Sequence, residues 1–106
     1  MQVEGYLAIQ NAAVPTVVID RDYAVRDVSA RLGESATGAP VVLRVTVNDA
    51  EYCTLTIPAD ANDSEVVDGF ALPPLRSGSR VGLDVVSLAQ GGDNKPGRDL
   101  TVTVRL

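Results

Sequence analysis

The sequence has no histidine and no tryptophan, and one phenylalanine with three tyrosines leaves aromatic residues at 4%. Without histidine, serine–histidine and cysteine–histidine nucleophile systems are excluded, and so are histidine metal sites. A single cysteine, Cys53, cannot close an internal disulfide. It lies in Tyr52-Cys53-Thr54-Leu55-Thr56-Ile57, on the face shared by Leu55 and Ile57, so it is expected as a buried apolar thiol rather than a reactive one. The scarcity of aromatics argues against a stacking platform for single-stranded nucleic acid. A net charge of −5 would be repelled by a phosphate backbone, so no nucleic-acid partner is expected. No run reaches the ~20 apolar residues of a membrane helix. The N-terminus lacks the basic region and apolar run of a secretory leader, so neither leader nor membrane partner is expected.

What the chain does have is β-branched alternation. Its 106 residues, 45% of them hydrophobic, suit one domain, residues 1–106, with a core of Val, Leu, Ile and Ala. In the last third, Leu100, Val102, Val104 and Leu106 fall on one face and Thr101, Thr103 and Arg105 on the other, the period-two pattern of a half-buried strand. Val81, Leu83 and Val85 repeat it on what reads as the partner strand. The intervening Gly91-Gly92-Asp93-Asn94-Lys95-Pro96-Gly97 supplies turn chemistry.

Earlier in the chain, Val3, Gly5, Leu7 and Ile9 alternate with polar and small residues as a first strand. Thr16 to Ile19 is a short strand ended by Asp20-Arg21-Asp22. Tyr23 to Leu32 reads as a strand with Ala24, Arg26, Val28 and Ala30 on one side, although Val25, Val28, Ser29 and Leu32 also fit a helical stripe. Gly33 to Pro40 is loop. Val41 to Val47, a turn at Asn48-Asp49-Ala50, and Glu51 to Ile57 form a hairpin. A polar loop from Pro58 to Ser64 precedes a weak edge segment, Val66 to Leu72. The sum is an all-β, single-domain antiparallel β-sandwich of jelly-roll type with about eight strands. The expected core comprises Leu7, Ile9, Val17, Ile19, Val41, Leu43, Val45, Val47, Cys53, Leu55, Ile57, Leu83, Val85, Leu100, Val102 and Val104.

Few constellations carry chemistry. Gly33 to Gly38 has the glycine spacing of a phosphate loop, but Ala39 and Pro40 stand where lysine and a hydroxyl are needed, so that reading fails. Fourteen Asp and Glu residues make chance carboxylate pairs easy, and none marks a glycosidase. The chain reads as non-enzymatic, with no catalytic residue and no required cofactor. Asp60, Asn62, Asp63 and Glu65 cluster hard oxygens of the kind calcium takes, making calcium the one candidate cofactor, against a plain Asx-rich turn. Asp93, Asn94 and Asp99 form a second acidic loop, offset by Lys95 and Arg98. Asn62-Asp63-Ser64 matches a glycosylation sequon, read here as chance. Tyr6 and Tyr52 lie on polar strand faces and are the candidate ligand-binding residues: they would stack on a sugar, or else cover sheet or sit in a subunit interface.

A succession of features gives the chain a resemblance. Thr37-Gly38-Ala39-Pro40 leads into the strand up to Val47, and Leu55-Thr56-Ile57-Pro58-Ala59 ends the next. Gly78-Ser79-Arg80-Val81-Gly82-Leu83-Asp84-Val85, Pro96-Gly97 and Asp99-Leu100-Thr101-Val102-Thr103-Val104 follow. In this order the chain resembles a small β-sandwich module of bacteriophage tail-fibre and baseplate proteins. The resemblance implies a structural or host-adhesion part of a virion, an extracellular particle. It further implies a homo-oligomer, usually a trimer, that contacts other virion proteins or a host-surface glycan. The competing expectation is a carbohydrate-binding sandwich, monomeric and calcium-dependent in one version.

Overall fold

Alternating Val, Leu and Ile become strands where one face can be covered, as in the long strands Val41–Val47, Ala50–Ile57, Arg80–Ser87 and Arg98–Arg105. A computed structural model describes residues 1–10, 13, 15–88 and 95–106. Its strands are β1 (Gln2–Tyr6), β2 (Val17–Val18), β3 (Asp27–Glu34), β4 (Val41–Val47), β5 (Ala50–Ile57), β6 (Val67–Asp68), β7 (Arg80–Ser87) and β8 (Arg98–Arg105). A 3₁₀ turn, Gly69–Ala71, follows β6. The strands make two four-stranded sheets, ordered β1-β8-β3-β6 and β2-β7-β4-β5.

The pairings are nested. First pairs with last (β1 with β8), then β2 with β7, β3 with β6 and β4 with β5, all antiparallel. The two further ladders, β3 with β8 and β4 with β7, roll this long hairpin into two facing sheets. That arrangement is the jelly roll, built from two interlocked Greek keys.

The expectation that β7 and β8 pair is corrected. β7 lies between β2 and β4, β8 lies between β1 and β3, and the chain between them crosses from one sheet to the other. Alternation specifies which face of a strand is buried, and carries nothing about its neighbour. The β4–β5 hairpin does form. Asn48 and Asp49 take positive φ of 52° and 67°, the two left-handed residues of a type I′ turn. Asn48 donates its amide to the Arg80 carbonyl at 2.8 Å and accepts from the Arg80 amide at 3.0 Å, pinning the turn to the start of β7.

Two short strands are extended by flanking chain. Gln10 bridges to Val85, the Ala13 amide donates to the Leu83 carbonyl, and Val17 pairs with Val81, so the β7 edge is lined well beyond β2. On the other sheet, the Leu32 amide donates to the Asn62 carbonyl and the Ser64 amide to the Ala30 carbonyl before Val67 pairs with Val28. Residues 62–68 therefore cover the β3 edge.

The core is aliphatic: Val28, Leu32, Val41, Leu43, Val45, Leu55, Ile57, Leu83, Val85, Leu100 and Val102 are almost wholly buried. Four of the expected core residues fare differently. Ile9 and Val17 are half exposed, and Val47 and Val104 are only partly buried. At Ile9 the alternation of β1 has already ended. Gly5 turns at φ 76° beside a register shift, and the chain is leaving β8 for the β7 edge. Val25, Val28, Ala30, Leu32, Ala36, Leu75 and Val81 join the core instead. Residues 23–26 are not part of β3; Ala24 and Arg26 are exposed and Val25 is buried. On the outer faces sit two charged pairs. Arg44 grips Asp84 at 2.9 Å, and Arg105 Nε donates to Asp27 at 2.8 Å, with a second bond from the same guanidinium.

Candidate functional site

The residues singled out from the sequence occupy separate places. Tyr6 ends β1, at one edge of its sheet, half exposed, with the Arg98 guanidinium 5.4 Å from its ring centroid. Tyr52 is on β5, an edge strand of the other sheet. It is half buried and its hydroxyl donates to the Pro73 carbonyl. Burial, and then the neighbouring Cys53, push its pKa up. The two rings lie on different sheets and do not form a common platform.

The acidic loop has a structural employment. Asp60 adopts φ 62°, and its amide donates to the Ala36 carbonyl at 2.7 Å. The Asn62 side-chain amide donates to the Leu32 carbonyl at 3.0 Å. Asp63 faces Arg31 at 3.8 Å, and the Glu65 carboxylate accepts from the Thr56 amide at 3.3 Å. Asn62 and Asp63 thus fasten the loop to β3 in one sheet, while Glu65 reaches β5 in the other. Among the described residues, no group of three or more Asp, Glu or Cys is gathered so as to hold a metal. The four calcium candidates stand at different partners. Asp93 and Asn94 lie outside the described residues; Asp99 accepts from the Gly5 amide at 2.8 Å. Cys53 is buried, and desolvation, followed by repulsion from Glu51 and Glu65, raises its pKa to about 11. It is a core thiol.

The feature that the sequence reading missed is one end of the sandwich. Asp27 pairs with both Arg105 and Asp68, so the 3₁₀ turn after β6 sits beside the end of β8. On that turn, Phe70 is fully exposed. Next to it, a cleft of about 200 Å³ opens between the sheets, lined by Met1, Val17, Ile19, Leu75, Val81, Val102, Val104 and Leu106. Ile19, Leu75, Val81 and Val102 are buried in its floor, while Val17 and Leu106 stand half exposed. Leu106 also borders the shallow depression around Phe70. A signal for this existed: Phe70 follows a glycine and precedes Pro73-Pro74, a turn context in which a large apolar ring has no strand face to fill. The arrangement can bind apolar groups; it brings no nucleophile and base together. No family model matches the chain, and no match was found among curated proteins or among solved structures.

Proposed function

We propose that the chain is a non-enzymatic structural or host-adhesion module of a phage-type virion, acting through protein–protein contacts as a homotrimer. The observation that carries this reading is the apolar end of the sandwich, where Phe70, Val17 and Leu106 meet water beside an open aliphatic cleft. Large apolar side chains left exposed at the rim of an apolar cleft favour an interaction site, and aromatic side chains are enriched in such sites. The jelly roll adds an analogy, since capsid and lectin domains share it, although a fold does not assign a function. Light scattering coupled to size exclusion tests the reading. The expected mass is three times the 11.1 kDa of the chain; a monomer at the highest soluble concentration would sink it.

Carbohydrate binding is the second reading, favoured by Tyr6. An exposed ring with a guanidinium beside it offers the apolar face and the donors with which proteins recognise sugars. Tyr6→Ala is then expected to abolish retention on immobilised glycans while the unfolding curve stays unchanged. Retention indifferent to the substitution would remove this reading, and sensitivity to a chelator would return calcium to it.

A further inference from the structure

We infer that the Asp68–Gly69 step is a concealed modification site: it isomerises to isoaspartate when the 3₁₀ turn after β6 undocks, and it is protected while the turn is seated. The chain contains one Asp-Gly pair and no Asn-Gly pair. In such a pair the attacking nitrogen has no side chain beside it and the backbone turns freely, which makes the reaction easiest there. The step needs no reagent but water. The Gly69 nitrogen bonds to the Asp68 Cγ as a Cγ–O bond breaks, and the departing oxygen carries off the amide proton and the acid's proton as water. The five-membered imide then adds water at either carbonyl. Opening at Cγ restores aspartate. Opening at the former main-chain carbonyl routes the backbone through Cγ and frees an α-carboxylate, so charge and mass are unchanged and the main chain is one methylene longer.

The seated turn opposes this chemistry at each reacting atom. Ring closure needs the Asp68 Cβ and the Gly69 nitrogen eclipsed about the Cα–C bond, and a ψ of 134° at Asp68 holds them far from it. The nitrogen is engaged, since the Gly69 amide donates to the Arg26 carbonyl at 2.8 Å. The carboxylate is engaged as well, accepting from the Phe70 amide at 2.9 Å. The peptide cannot swing round in place: Gly69 lies so close to the chain before β3 that a Cβ there would be 1.7 Å from the Val25 carbonyl oxygen. Reaction therefore waits for the turn to lift away. Lifting is local, because β6 has two residues and the side chains of Asp68 and Phe70 stand in water; segments with so little buried apolar surface open well below the cost of global unfolding. Once formed, isoaspartate blocks reseating, since the added methylene displaces Gly69 from its place against Val25 and Arg26.

Ageing the native protein and the guanidinium-unfolded chain side by side at neutral pH tests this. Isoaspartate is located by electron-transfer fragmentation of the tryptic peptide 45–76, and hydrogen exchange of the Gly69 amide reads the opening of the turn. The unfolded chain is expected to convert Asp68 at least about tenfold faster than the native protein, whose rate should follow the population of the open turn. Denaturant below the unfolding transition should raise exchange and isomerisation together. Equal rates in the native and unfolded chains overturn the inference. So does isoaspartate gained by native protein whose Gly69 amide stays protected, or an unfolded chain that isomerises elsewhere and not at Asp68.

Discussion

Neighbouring side chains on β8 meet opposite solvents. Val102 is 1% exposed at the floor of the sandwich, whereas Thr103, one residue on, is exposed. Val102→Asp buries an unpaired charge and is expected to cost several kcal/mol, about the whole stability of a small domain. Thr103→Asp is expected to change stability by less than ~0.5 kcal/mol; urea denaturation of the pair reads the contrast, and equal behaviour would contradict the orientation of β8. Cys53 makes a second local prediction. Its pKa is raised from the ordinary 9.0 to about 11, so the folded state holds a proton that the unfolded state releases. Stability from this group is complete below pH 9 and is lost as pH rises through about 11, by at most about 2–3 kcal/mol. Cys53→Ala should flatten that part of the alkaline unfolding profile, and the native thiol should react with a disulfide reagent only at the rate of unfolding.

Strands and turns here depend on close approaches as much as on alternation. The 3₁₀ turn Gly69–Ala71 docks on the chain just before β3 only because residue 69 has no side chain. Gly69→Ala forces the turn away from Val25 and is expected to cost about 1–3 kcal/mol, the usual penalty of overpacking. The thermal midpoint would measure it, and an unchanged midpoint would mean that the turn does not pack as described. Edge strands are handled in a similar spirit. β5 exposes one side of its backbone, and the Glu65 carboxylate caps the outward amide of Thr56, placing a charge where another strand would have to pair.

Across the whole molecule the nested ladders tie the first residues to the last: Gln2 pairs with Thr101, and the Met1 carbonyl accepts from the Val102 amide at 2.8 Å. The Asp27–Arg105 pair clamps the same region where β3, β6 and β8 converge. Hydrogen bonding to Arg105 holds the Asp27 carboxyl below its ordinary 3.8, helped by the charges of Arg105 and Arg26 and opposed by desolvation. A carboxyl whose pKa is lowered on folding contributes stability above its unfolded pKa and loses it as pH falls through the folded one. The protein is therefore expected to weaken progressively below pH 3.8. Asp27→Asn should lower stability near neutrality and reduce the acid slope in urea titrations; an unaltered slope would show that the pair is not formed in solution.

Much of this architecture is legible in the chain. The period of two in Val41 to Val47, Glu51 to Ile57, Val81 to Val85 and Leu100 to Val104 is enough to determine an all-β fold and the buried face of its long strands, because a strand alternates its side chains whatever its neighbours. Two successive residues able to take positive φ, Asn48 and Asp49, determine a hairpin for the same local reason. Tertiary structure decided the rest. It placed β7 and β8 in different sheets, since partner choice depends on how the whole roll closes. It gave Asn62, Asp63 and Glu65 partners on β3 and β5, because a carbonyl, a guanidinium and an amide of those strands lie within reach. It also set the exposed Phe70 beside an apolar cleft whose walls come from residues as distant as Val17 and Val104, a juxtaposition that no local pattern encodes.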